Sequence, residues 1–126
     1  MKIFLISPVR VENNLDLETR IAIEMYVKSL KGRGYKVHWP KRDTNQNDHS
    51  GGYEICLTNF QAMLDADQIH IWYEETSNGS KFDMGGVFML KMLGIKKDII
   101  IVNREEAEAL DKSQKSFLKV MKHLAD

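Results

Sequence analysis

The sequence has little cysteine, little proline and no net charge, and each scarcity excludes something. The one cysteine, Cys56, rules out an internal disulfide and fits a reducing compartment, so the cytoplasm is the expected location. The 18 Lys and Arg residues are matched by 18 Asp and Glu, which leaves no net field to gather a nucleic acid polymer or an anionic membrane. The apolar run Ile3-Phe4-Leu5-Ile6 stops at Ser7-Pro8, far too short for a signal h-region or a membrane span, and reads as a strand. The histidines His38, His49, His70 and His123 share no metal-ligand spacing, so no metal site is expected. Neither a Walker-type lysine motif nor a dinucleotide glycine fingerprint occurs, and no cofactor is expected.

What is there is a regular alternation of short apolar runs and helical periodicity. Lys2 to Ile6 reads as a buried strand. Asp16 to Arg33 has helical spacing, with Asp16 as its N-cap and Gly32 and Gly34 as its stop. Tyr35 to Trp39 is a strand cut by Pro40, and Lys41 to Gly52 is a polar loop without periodicity. Helical spacing returns over Tyr53 to Asp65, followed by a strand from Gln68 to Glu74. A Ser-Asn-Gly turn leads to a helix from Lys81 to about Leu93, closed by Gly94. The chain finishes with a strand over Asp98 to Val102 and helices over Glu105 to Asp111 and Ser113 to Leu124. This βαβαβαβα order predicts one α/β domain over residues 1–126. The expected architecture is a three-layer, flavodoxin- or Rossmann-like open sheet of four to five mainly parallel strands. Such sheets bind ligands at the carboxyl ends of their strands, near a topological switch point.

The loop after the third strand is the most informative. Gly79 lies between Asn78 and Ser80, just before a helix, where unpaired N–H groups favour a phosphate or carboxylate. Ser77 and Ser80 add hydroxyl donors. The same residues also fit a capping box, with Ser80 as N-cap and Asp83 at N3. Gly85 and Gly86 weaken that helix by about 1 kcal/mol each relative to alanine, which implies a close approach by either a ligand or a neighbouring element.

The run Ala66-Asp67-Gln68-Ile69-His70-Ile71-Trp72, followed by Ser77-Asn78-Gly79-Ser80-Lys81-Phe82-Asp83-Met84-Gly85, resembles the nucleoside 2-deoxyribosyltransferase-like superfamily. That superfamily includes the 2′-deoxynucleoside 5′-monophosphate N-glycosidases. The resemblance follows the whole chain in element order and is close from Asn59 to Gly85. It implies a helix carboxylate that attacks the anomeric carbon of deoxyribose, expels the base and is released by water or a second base. Asp83 takes the place of that nucleophile. Ser77 takes a position that is aspartate in the transferases and serine in the monophosphate hydrolases, where it meets the 5′-phosphate. Two positions depart from the family pattern. The nucleophile is normally glutamate, and Asn59 stands where an aspartate acts near the leaving base. Asparagine can hydrogen-bond a base or sugar but cannot titrate as a general acid. The implied function is therefore cleavage or deoxyribosyl transfer at an N-glycosidic bond, in a homodimer or higher homo-oligomer. The alternatives are a nucleotide-binding or sensing module without chemistry, or an interaction domain of similar fold.

Further candidates lie on the loops of the same rim. Arg10 offers a planar fork of donors to a phosphate or base, and Arg42, Asp43 and Gln46 can read polar base edges. Trp39, Trp72 and Tyr73 sit near strand ends, and Trp72 or Tyr73 either stacks on a base or sugar or packs in the core. Cys56, on an apolar helix face, is expected in the core.

Overall fold

The computed structural model describes residues 1–9 and 17–126. Arg10 and the expected N-cap Asp16 lie outside the described residues. Four parallel strands, β1 (Lys2–Ile6), β2 (Lys36–His38), β3 (Gln68–Ile71) and β4 (Asp98–Ile101), pair in the order β2-β1-β3-β4. Alternating side chains from these strands enter two separate cores, because successive residues of a strand face opposite sides of the sheet. Phe4, Ile6, Ile69, Ile71, Ile99 and Ile101 pack with Met63, Met84, Val87 and Leu90 and with Leu118, Met121 and Leu124. Those partners come from α3 (Tyr53–Asp65), α4 (Asn78–Met92) and α6 (Phe117–Ala125). Ile3, Leu5 and Val37 face the other way, against Ile23, Val27 and Leu30 of α1 (Leu17–Gly32). The result is the expected three-layer, flavodoxin-like α/β fold.

Several boundaries differ from the sequence reading, each for a local reason. Pro40 opens a single turn, α2 (Pro40–Asp43), where a loop was expected, its fixed φ being suited to a first helical position. β3 stops at Ile71 because its ladder closes there: Trp72 N donates to Ile6 O, and Val102 N donates to Ile71 O. The next residue pairs with a side chain instead. Asn103 accepts from Tyr73 N at 2.8 Å and donates to Tyr73 O at 2.9 Å, replacing the missing strand neighbour. After α5 (Arg104–Leu110), helix α6 starts at Phe117 rather than Ser113, because Ser116 caps it through Lys119 N.

His70 projects from β3 toward α1 and is buried. Tyr26 Oη lies 2.6 Å from its Nδ1 and Gln68 Oε1 lies 2.9 Å from its Nε2. Gln68 Oε1 can only accept, so Nε2 carries the proton and Nδ1 accepts from the tyrosine. Burial, then the charge of Arg33, lowers the His70 pKa below its ordinary 6.5. The folded state thus resists protonation, and stability should fall as pH drops below 6.5 toward the depressed folded value. Thermal melts of His70→Gln are expected to lose less Tm between pH 7 and pH 5 than wild type.

Candidate active site

The chain runs from β1 to β2 on one side of the sheet and then to β3 on the other, so the switch point lies between β1 and β3. A cleft of about 310 Å³ opens just beyond their carboxyl ends. Ser7 and Val9 follow β1, and Thr76, Ser77, Gly79, Ser80 and Asp83 follow β3 or begin α4. The opposite wall is built by Ile55, Cys56 and Asn59 of α3, with Pro40 and Gln46 at one side.

Helix α4 begins three residues earlier than its periodicity suggests. Ser77, not Ser80, is the N-cap: its Oγ accepts from Ser80 N at 3.3 Å and donates to Ser80 Oγ at 2.8 Å. This overturns the capping-box reading of Ser80 and Asp83. Ser80 is itself inside the first turn, and Asp83 lies in the second turn, too far along to return to the cap. The Ser77 proton is committed to Ser80, which leaves the Ser80 proton as the hydroxyl donor of the pair. Asn78 and Gly79 occupy the first helical positions, where backbone N–H groups have no intrahelical acceptor. A Cβ added to Gly79 would meet nothing within 4 Å, so the backbone there is open to the cleft.

Asp83 stands in the cleft wall one turn beyond that start. It is partly buried, and it is the one carboxylate among the described residues lining this cleft. Burial pushes its pKa up to about 7, while the nearby side-chain amide of Asn59 pulls the other way. The carboxyl group therefore exchanges its proton near neutral pH. Asn59 is itself buried and accepts from Thr44 Oγ1 at 2.7 Å.

The structure thus brings together Asp83, Asn59, Ser77, Gly79, Ser80 and Gln46. Gln46 is partly engaged, since its Nε2 donates to Pro40 O and Thr44 O. Arg42 and Asp43 stand elsewhere. They pair with each other (Nε to Oδ1, 2.7 Å), and Arg42 donates to Val37 O, lining a groove along the β2 edge with Lys36 and His38. Trp39 is buried against α1 and donates its Nε1 proton to Ser7 Oγ at 3.1 Å. Trp72 and Tyr73 line a second cleft, beside Asn103 and Glu106.

Cys56, expected in the core, lines the Asp83 cleft instead, its thiol pushed up first by burial and then by the Asp83 charge. Its helical stripe resembles a core stripe, which is why sequence alone misplaces it. Thr44 was not anticipated. Gly86 has a packing explanation: a Cβ there would stand 3.5 Å from Met63 Sδ and from the Phe60 ring, so α3 lies directly against it. Among the described residues, no group of three or more His, Cys, Asp or Glu side chains is arranged to hold a metal ion. No described helix is long and apolar enough to cross a membrane.

Fold and cleft together define a class: an open parallel α/β sheet with a ligand crevice at its switch point and a titratable carboxylate in the crevice wall. A solved structure of this fold is a 2-deoxyribosyltransferase from the psychrotolerant bacterium Bacillus psychrosaccharolyticus, a biocatalyst for the synthesis of nucleosides. The likeness has a TM-score of 0.58 at 17% identity, over 96% of this chain and 90% of that one, and is a likeness of fold. No family profile and no curated protein sequence matches this chain.

Proposed function

We propose that the chain is an enzyme domain acting at the N-glycosidic bond of a 2′-deoxynucleoside or its 5′-monophosphate, with Asp83 as nucleophile. The observation that carries this reading is the place of Asp83: it is the one carboxylate among the described residues lining the cleft at the switch point, with Asn59 on the same cleft. Ionised Asp83 attacks the anomeric carbon, the bond to the base breaks, and water or a second base displaces the sugar from the carboxylate. Asn59 orients the sugar or base by hydrogen bonding. The leaving base takes its proton from water, since the asparagine amide can donate a hydrogen bond but is not an acid. The free Cys56 thiol fits action in the reducing cytoplasm.

The test is incubation with a panel of deoxynucleosides and their monophosphates, with release of free base as the expected result. A ligand-induced rise in Tm with no base released from any of them would favour a binding module instead. The phosphate end of the proposal rests on the first turn of α4. Gly79→Asp places a carboxylate at the second helical position, which the helix dipole favours, so folding should be retained. The variant is expected to lose at least about tenfold in affinity for deoxynucleoside monophosphates, as like charges meet, and much less for free nucleosides. Competition binding with the two ligand types checks this.

The proposal includes a homodimer. Tyr53, Leu57, Phe60 and Leu64 form a stripe on α3, and Phe82 and Met89 of α4 form another with Leu93 at its C-cap, each residue between 37% and 70% exposed. The two stripes adjoin where Phe60 meets Gly86. Together they expose roughly 750 Å² of apolar surface, taking about 200 Å² for a large side chain. That exceeds the usual largest patch on a monomer and approaches the ~800 Å² each partner contributes to a stable interface. Phe82 also lines the cleft, so a second copy on this face would sit at its mouth. Sedimentation is expected to give a dimer for wild type and a monomer for Met89→Glu.

A further inference from the structure

Thr44 ends α2 and is buried, with its backbone N–H bonded to Pro40 O. Its hydroxyl owns one proton and is in contact with two polar side chains. Oγ1 donates that proton to Asn59 Oδ1 at 2.7 Å, so the contact with His38 Nε2 at 2.9 Å must be one in which Thr44 accepts. His38 is then the Nε2–H tautomer. With its oxygen taken by Thr44, Asn59 has only its NH₂ group left for the cleft that Asp83 also lines, and there it favours the ionised carboxylate. Each link fixes the direction of the next.

The opposite arrangement is also chemically complete. A flipped Asn59 would donate to Thr44, Thr44 would donate to a bare His38 Nε2, and the amide oxygen would face Asp83. That oxygen repels an ionised carboxylate and accepts from a protonated one. The hydroxyl of Thr44 therefore stands between two states of the cleft.

We propose that Thr44 is a positioning residue for Asp83: locked between His38 and Asn59, its hydroxyl holds the Asn59 amide with its N–H groups toward the carboxylate. The inference rests on reading Asp83 as the reacting carboxylate and names what favours its ionised form against burial. His38 supports the chain from behind. Its ring stacks on Phe4 of β1 at 5.4 Å, and the charged groups facing it are Asp43 and Arg42 of α2. Burial lowers its pKa, so the neutral ring, in which the tautomer matters, is the form present at neutral pH. On the cleft side, Asp83 faces Asn59 and Cys56, both from α3.

The experiment follows the Asp83 carboxyl directly by carbon NMR titration in wild type, Thr44→Val and Thr44→Ser. Losing the donor that orients Asn59 should make Asp83 titrate higher in Thr44→Val, by about 0.5–1 pH unit for one hydrogen bond. Thr44→Ser should titrate like wild type. An unchanged titration in Thr44→Val would overturn the proposal. If that variant does not fold, His38→Phe, which keeps a ring on Phe4, is expected to move the titration the same way, and no movement there overturns it equally. Nitrogen NMR of the wild-type His38 ring should report Nε2–H, whereas Nδ1–H would contradict the direction of the chain. The pH–rate profile of Thr44→Val should shift alkaline by the same amount. Should wild type release no base from any substrate, the enzymatic reading fails while the titrations still decide the role of Thr44.

Discussion

Asp83→Asn is expected to reduce base release by roughly 10³-fold or more, since it removes the atom that forms the bond to the sugar. The same substitution should raise stability above neutral pH. The Asp83 pKa is held at about 7 in the folded protein against an ordinary 3.8, chiefly by burial. Between those values the folded state binds a proton that the unfolded state has released, so stability falls as pH rises from about 4 to about 7 and stays low beyond. Asparagine presents no charge to bury. Its melting temperature should therefore exceed that of wild type at pH 8, and the difference should vanish near pH 4. Wild-type activity should run the other way, rising through pH 7 as the carboxylate forms. Parallel melts and rate profiles across pH 4–9 check both halves. An inactive variant that is also less stable at pH 8 would contradict the burial argument, because the loss of activity would then reflect damage to the fold.

The second large effect is on the fold that carries the cleft. Phe4 is fully buried on β1, a central strand, with His38 opposite it on β2 and Ile69 opposite it on β3. Phe4→Ala is expected to cost about 3–5 kcal/mol, from lost transfer free energy and the cavity left behind. That is a large share of the stability of a chain this size. The truncation also removes the ring on which His38 stacks. Chemical denaturation should show the loss as a lower midpoint with an unchanged slope. A cost below about 1 kcal/mol would show that the core had relaxed to fill the space.

The sheet and its helices were legible in the sequence because their signals are periodic and local. Ile3 to Ile6, Ile69 and Ile71, and Ile99 and Ile101 announce buried parallel strands, and the strand order follows once the switch point is in place. Element ends were less legible because long-range partners set them. The Asn103 side chain ends β3 by taking over the backbone groups of Tyr73, and nothing near Tyr73 in sequence announces it. Ser77 and Ser80 are both sound N-caps by composition, and only the fold selects Ser77.

The pairing of Asp83 with Asn59 came from the family resemblance, since their proximity depends on how α3 lies against α4. Arg42 and Asp43 share a polar loop with Gln46, yet the single turn at Pro40 directs them to the β2 edge. Thr44 was illegible for the same reason. A threonine in a polar loop carries no signal until β2 supplies His38 and α3 supplies Asn59.

The central claim is that Asp83 bonds covalently to the sugar. Its most direct test is acid quenching of the protein during turnover of a 2′-deoxynucleoside 5′-monophosphate, followed by peptide mass spectrometry. The account predicts a deoxyribose-phosphate adduct on the peptide that carries Asp83, absent from Asp83→Asn. Base release that persists in Asp83→Asn, or an adduct on any other residue, would contradict it.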